Sequence, residues 1–394
     1  MVAKPRVLIA CPYPPTPPYA GGRRRIVELI KTLRSVAAVT VATVTFSEAD
    51  DAAIVRGLPV DVTVMRARPT SAGGPTDLPS TFTWAWSRTL AQLIERCHAQ
   101  HPFDVAIAAH SYAFPYVAGL DGAVRVLDAH NVEHRVHQQF SSLPDHERER
   151  ICAMSSSGAD GYRQDADDPA DVAGFERRVW GAADVVLCVS RGEMSEIAAA
   201  PGHHRVLLVP NGATTDQDAR SGSIENLGHV ITFAGALNYV PNVDAVVTLV
   251  EEVTPIVQKS LPEIRVVIAG REPTPLLKQW CEHRGVLVIA DPVEMAPVIR
   301  GSVMAVPLRM GSGTRIKILE ARSNEVPVVA STIAAEGLSM ADDPGLTICD
   351  DTEAMARCLV GRLLTAERFV PTSIPLPTWS ETFQPIYGLL GCRG

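Results

Sequence analysis

Between Pro307 and Gly337 the chain reads PLRMGSGTRIKILEARSNEVPVVASTIAAEG, and its residue types can hold an anion at one end and a diol at the other. Two short apolar runs flank the chemistry, Val303–Val306 and Val326–Ala330. Both are rich in β-branched residues and bounded by Gly or Pro, the pattern of buried strands. Gly311, Ser312 and Gly313 form a flexible loop, and Thr314 is placed to cap a helix predicted from Arg315 to about Arg322. Such a loop aims the free N–H groups of the first turn, and the positive end of the helix dipole, at one point, which suits a phosphate. Arg315 and Lys317 add two full positive charges where the dipole disfavours cations, and a local rule broken in this way points to a binding site. Glu320, one turn beyond Lys317, can accept two hydroxyls at once. Anion and diol together outline a nucleotide sugar. The plainer reading keeps the glycines as a turn and makes Lys317 and Glu320 a surface pair worth roughly 0.2–0.5 kcal/mol.

The elements that must position these residues follow from the rest of the chain. At 394 residues it is long enough for two domains, and 46% hydrophobic with 20% charged residues is the composition of a globular protein. A net charge of −8 argues against a nucleic-acid coat. No apolar run approaches the ~20 residues that span a bilayer, and the apolar stretch before Pro12 is too short for a signal segment. Eight cysteines are scattered without a CxxC pair, which suits reduced, mostly buried thiols and a cytoplasmic location.

Strands are expected at Arg6–Cys11, Val39–Val44, Val60–Val64, Asp104–Ala108, Val124–Leu127, Asp184–Val189 and Arg205–Val209. A proline-rich loop ending in Gly21-Gly22 follows the first, and Ile26, Leu29, Ile30 and Leu33 then mark one face of a helix. Thr81–Gln100 reads as one long helix. The second half repeats the logic with strands at Val230–Phe233, Ile264–Ala269, Val286–Ala290, Val303–Val306, Pro327–Ala330 and Leu346–Ile348. The fold class is therefore α/β, two Rossmann-like doubly wound parallel sheets facing across a cleft. The expected boundaries are 1–212 for the first, acceptor-side domain, 213–228 for a linker, and 229–378 for the nucleotide-sugar domain. The amphipathic tail 379–394 returns to the first domain. Residues 155–171 read as an exposed polar insertion. Its Asp165, Asp167 and Asp168 form the nearest acidic cluster, read as a solvated loop and not a metal site. His130 follows the fifth strand, on the sheet edge where ligands sit, although a histidine there can also simply pack in the core. Asp128 reads as its structural partner, and Arg23, Arg24 and Arg25 read as a solvated helix face, with phosphate or an anionic membrane as the functional option.

The ordered set PPTPPYAGGRRRIVELIKTL, VLDAHNVEH, VPNG, ITFAGALNYVPNVDAV, VVIAGRE and PLRMGSGTRIKILEARSNEVPVVAS resembles the two-domain GT-B glycosyltransferases, in particular the retaining group called family 4. The resemblance spans nearly the whole chain and is strongest over 230–340. It implies that Gly21 and Gly22 lie against the donor phosphates, that His130 faces the donor sugar, that Gly235 and Asn238 face the diphosphate, and that Arg271 is among the donor-binding residues. It further implies that Gly313, Thr314, Arg315 and Lys317 clamp that leaving group, and that Glu320 holds the ribose. Two departures stand out. The earlier of two glutamates spaced eight apart is Ser312 here, and the Arg and Lys found early in the second domain are replaced by Ala236-Leu237-Asn238-Tyr239-Val240.

The function so implied is transfer of a sugar from a nucleoside-diphosphate donor, with retention, no metal and no cofactor. His130, Arg315 and Lys317 carry the chemistry, the last two standing in for a cation. The lack of a hydrophobic or strongly basic anchor favours a soluble small acceptor, as in natural-product assembly, over a membrane lipid. Polysaccharide or lipid-linked transfer, an epimerase, and a sugar-nucleotide-binding protein without transfer are the alternatives. A nicotinamide dehydrogenase fails on its glycines, because Ile316 stands where the third should fall. The nucleotide base, the sugar, the acceptor and the oligomeric state have no readable code.

Overall fold

Thirteen apolar runs pair into two all-parallel sheets in the computed structural model, which describes residues 4–18, 21–70, 74–155, 167–213, 228–338, 340, 342–365, 370–372 and 374–391. Asp165, most of the polar insertion, residues 214–227 of the linker, and Cys392 lie outside the described residues. The first sheet comprises β1 (Arg6–Cys11), β2 (Ala38–Val44), β3 (Thr63–Ala67), β4 (Val105–Ala109), β5 (Val124–Ala129), β6 (Val185–Cys188) and β7 (Arg205–Leu208), in the order β3-β2-β1-β4-β5-β6-β7. The second comprises β8 (Val230–Ala236), β9 (Arg265–Arg271), β10 (Leu287–Ala290), β11 (Val303–Val306), β12 (Val328–Ala330) and β13 (Leu346–Ile348), in the order β10-β9-β8-β11-β12-β13. Each order reverses once, at β1/β4 and at β8/β11, and a crevice opens there at the carboxyl ends of the strands.

Residue alternation explains why both faces of the first sheet are covered. Leu8, Ala10, Ala42, Val44, Ala106 and Ala108 pack on one face, while Val7, Ile9, Val39, Val41, Val105 and Ile107 pack on the other. The helix Gly21–Arg34 buries Ile26, Leu29, Ile30 and Leu33 against the second of these faces.

Two expected elements move. β3 begins at Thr63, because Pro59–Val62 forms a turn that leaves Val60 in solvent and pairing with β2 starts only at Thr63. The long helix expected over Thr81–Gln100 is broken. A 3-10 turn spans Ser80–Ala85, Trp86 is extended, and Ser87 caps a separate helix Arg88–Gln100 by accepting from Leu90 N at 3.3 Å. The Tyr116 hydroxyl holds the break by accepting the Ser87 N–H at 2.6 Å. Asp167 accepts from the N–H groups of Ser80 and Thr81, and Asp168 caps the helix Pro169–Ala182.

Each half also takes a segment from the other. The helix Asp145–Ser155, which comes before β6 in the chain, buries Ile151 and Met154 in the core of the second half. It is fixed there by Thr274, whose hydroxyl donates to Met154 O at 2.6 Å, and by Arg309, whose guanidinium joins Glu147 at 2.7 Å to Asp244. In return the tail turns Trp379–Thr382 and Gln384–Tyr387 bury Trp379, Phe383 and Ile386 beside Ile26 and Leu29 of the first half. The Pro210-Asn211-Gly212 turn passes so close to this tail that a Cβ on Gly212 would fall 2.5 Å from Trp379 N.

Candidate active site

The carboxyl ends of β1, β4 and β5 bring Tyr13, Gly22, His110 and His130 together. Gly22 opens the first helix, and a Cβ there would lie 2.4 Å from the Tyr13 hydroxyl, 3.3 Å from His130 Nδ1 and 3.4 Å from His110 Nε2. His110 follows β4 with φ of 75°, a conformation that non-glycine residues rarely adopt and that concentrates at functional sites. Its Nε2 is 2.7 Å from the Tyr13 hydroxyl, and its ring centroid is 4.1 Å from that of His130.

His130 is 6% exposed. Its Nε2 lies 3.1 Å from Asp128 Oδ2, so in the neutral ring Nε2 carries the proton and donates, leaving Nδ1 a buried lone pair without a partner. Burial and the neighbouring His110 push its pKa down to about 4. Asp128 is fully buried. Burial works to raise its pKa, but Arg25 and His130 outweigh it and hold the carboxyl well below the usual carboxylate range. Arg25 meets both Asp128 oxygens at 2.7–3.0 Å, donates to Asn211 Oδ1 at 3.1 Å, and lies 5.3 Å over the Phe383 ring. The expectation of a solvated Arg23–Arg25 face is therefore corrected, since Arg25 is 1% exposed and holds helix, strand, linker and tail together. With Asp128 already neutralised by Arg25, His130 is a weak base and a good hydrogen-bond acceptor at neutral pH.

The second half supplies the cations. Helix Ile316–Ser323 begins one residue later than expected and has no side-chain cap. Thr314 does not cap it, because its hydroxyl accepts from Asn211 Nδ2 at 2.7 Å across the halves. Arg315 turns back to donate to Gly313 O at 2.8 Å and to Ser312 O, and burial lowers its pKa. Lys317 Nζ donates to Asn242 Oδ1 at 2.7 Å and sits 4.2 Å above the Phe233 ring. Burial first, then the Arg315 charge, pull its pKa well below the usual lysine value. A Cβ on Gly235 would fall 2.8 Å from that ammonium.

The two sets meet. Gly313 has φ of 76°, and a Cβ there would be 2.6 Å from His130 O; one on Gly21 would touch Ile316 Cδ1 at 3.4 Å. Gly21, Gly22 and His130 thus face Gly235, Gly313, Thr314, Arg315 and Lys317 across one gap. Arg271 ends β9, is 8% exposed, and is held by Glu272 through Nε at 2.9 Å. Asn238 is on the exposed rim, donating to Glu272 at 2.6 Å, and Glu320 lies 3.9 Å from Arg24 further along the helix. Sequence reasoning missed His110, Tyr13, Asn242 and Glu193. A signal existed for His110, which ends its strand as His130 does. None existed for Glu193, which looks like an ordinary first-turn acid.

Residues 228–365 match the family model described as glycosyl transferases group 1. The match lies wholly within the second half of the chain. No curated protein matches the chain significantly. Among solved structures, sucrose-phosphate synthase from Thermosynechococcus elongatus superposes with TM-score 0.65 at 11% identity, covering 98% of this chain and 94% of that one. The α,α-trehalose 6-phosphate synthase of Burkholderia multivorans gives 0.60 at 12%, covering 98% and 95%. Anabaena HepE, solved in complex with UDP, gives 0.54 at 14%, covering 97% and 94%. These likenesses establish the GT-B fold over nearly the whole chain. The expectation of two facing Rossmann-like sheets and of the glycosyltransferase class holds. Among the described residues, no helix is long and apolar enough to cross a membrane.

Proposed function

We propose that the chain transfers a sugar from a nucleoside-diphosphate donor to an acceptor with retention of configuration, using cationic side chains where other enzymes use a metal ion. One observation carries the reading. The uncapped helix mouth that carries Arg315 and Lys317 packs on the first half, Gly313 against His130 O and Ile316 against Gly21, which sets its fixed positive charge beside the loop that holds the bare Nδ1 of His130.

In the reaction, the bond between the sugar's anomeric carbon and the β-phosphate oxygen breaks, and its electron pair stays on the phosphate. Lys317, Arg315 and the N–H groups at Gly313 and Thr314 stabilise that charge, a contribution of several kcal/mol in a water-excluded site. The acceptor oxygen bonds to the anomeric carbon from the same face, and its proton passes to the departing phosphate. No protein base is needed, which suits His130, whose weak basicity fits it to accept a hydrogen bond from a donor-sugar hydroxyl and fix its position. In this reading Glu320, further along the helix, takes the ribose hydroxyls. The acceptor in this reading is a small soluble molecule.

The test is a thermal-shift panel with UDP, GDP, ADP and dTDP. UDP is the first choice because HepE was solved with it. A ligand bound only by the folded chain raises Tm with concentration. Four flat responses would remove the nucleotide-sugar reading.

A further inference from the structure

Three arginines around the gap keep a buried guanidinium nitrogen with no hydrogen-bond partner: Nη1 of Arg23, Nη1 of Arg271 and Nη2 of Arg315. A guanidinium does not shed its charge, and a dry unpaired N–H is costly, so nitrogens kept in this state point to a ligand. Arg315 belongs with Lys317 at the helix mouth. Arg23 and Arg271 are a separate pair, one from each half. Arg23 stands in the first turn of the first helix, 5.5 Å over the Tyr13 ring. Arg271 ends β9 opposite Ala236 of β8, with one edge of its guanidinium on Glu272 and the other edge bare. Both pKa values fall to about 10, chiefly through burial, with the Arg23 charge contributing to the fall at Arg271.

Two like charges carried into one closing gap oppose closure unless an anion lies between them. The donor's diphosphate brings about two negative charges, and Arg315 with Lys317 already matches them. Glu272 offsets part of the Arg271 charge and Asp50 acts on both arginines, but no partner reaches the bare Nη1 of Arg23 or of Arg271, and these two donors suit a second anion. Their place fits the acceptor side. Tyr13, under Arg23, bonds to His110, which packs on His130. A molecule held at Arg23 is therefore linked to the proposed sugar position through two rings, Tyr13 and His110.

We propose that Arg23 and Arg271, the latter expected from the resemblance to bind the donor, form instead a second anion seat, distinct from the Arg315–Lys317 mouth, that takes the phosphate monoester of a phosphorylated acceptor. The word acceptor rests on the glycosyl-transfer reading above; the anion seat does not.

The test uses the full chain, inorganic phosphate as the probe, and whichever nucleoside diphosphate binds, followed by calorimetry and Tm. Phosphate is expected to bind with the nucleotide already saturating, so that the two stabilisations add. R23Q and R271Q should each weaken phosphate by about tenfold or more while changing nucleotide affinity less than about threefold, and K317A should do the reverse. Because Arg271 is buried, R271K serves as its folding-safe companion: it keeps the charge, loses the bare Nη1, and should weaken phosphate with Tm unchanged. Competition between phosphate and nucleotide would assign the seat to the donor and overturn the proposal, as would phosphate binding indifferent to R23Q and R271K. If no nucleotide binds but phosphate does so in an Arg23-dependent way, the transfer reading fails and the seat stands.

Discussion

The Ser312 hydroxyl, on the loop after β11, donates to a carboxylate oxygen of Glu193 in the other half while accepting the Val132 N–H at 2.9 Å. Glu193 is 1% exposed, its second oxygen has no partner, and burial pushes its pKa up. One hydroxyl therefore fastens the glycine loop to the first half. It also gives a physical reason for the serine at a position where the resembling family carries a glutamate. A carboxylate there would confront Glu193 inside a dry interface. Ser312→Ala should cost about 1–3 kcal/mol in a denaturant titration, because it strands a buried carboxylate oxygen. A change within about 0.5 kcal/mol would show that the contact holds nothing.

Lys317→Ala should lower turnover by about two to three decades, measured with donor in excess, because the departing phosphate loses its nearest ammonium. Its Tm should move little, since Lys317 is buried by a ring and an amide and not by core packing. Turnover within a few-fold of the parent would take Lys317 out of the chemistry.

Gly235→Ala separates the site from the fold. The added methyl would meet Lys317 Nζ at 2.8 Å and Asn242 Nδ2 at 2.9 Å, both ends of side chains that can move aside. The expected result is a nearly unchanged Tm with nucleoside-diphosphate affinity weakened by about tenfold, read by calorimetry. Unchanged affinity would mean that the diphosphate does not lie against this ammonium.

The pH dependence follows from two depressed pKa values. Lys317 lies well below the usual lysine range, and a bound diphosphate must draw it back up. Nucleotide binding should therefore take up protons at pH values between the depressed pKa of the free chain and the raised one of the complex, and affinity should fall as pH rises through that interval. Calorimetry in buffers of different ionisation heat measures this directly, and zero uptake throughout would contradict it. His130, at about 4 in the folded chain against about 6.5 unfolded, stays neutral while the unfolded chain takes up a proton. Its contribution to stability is fully present above about 6.5 and is lost as pH falls towards 4, by about 3 kcal/mol. An NMR titration of the imidazole that gave a midpoint near 6.5 would refute it.

The strands were legible because each is a short β-branched run closed by Gly, Pro or a polar residue, and such runs have few other uses in a chain of this composition. The glycine loop was legible for the same local reason. What escaped was decided by partners far away in sequence. Thr314 looks like a cap from its own neighbours, yet Asn211, 103 residues earlier, claims its hydroxyl. Arg25 reads as one of three surface arginines, and only Asp128, also 103 residues distant, takes it inside. The break at Trp86–Ser87 depends on the Tyr116 hydroxyl, which no helical periodicity announces. Local pattern fixes where the backbone turns. Long-range hydrogen bonding decides what each polar side chain does there.

The reciprocal packing of Asp145–Ser155 and of the tail has a practical side. A fragment cut at the linker would leave home without one of its own walls: the later piece would bare the surface that covers Ile151 and Met154, and the earlier piece the surface that covers Trp379, Phe383 and Ile386. Each piece would then expose an apolar patch to water. Anyone grafting one half onto a homologue must transplant the wandering helix and the returning tail with it, so chimeras have to be spliced at several seams.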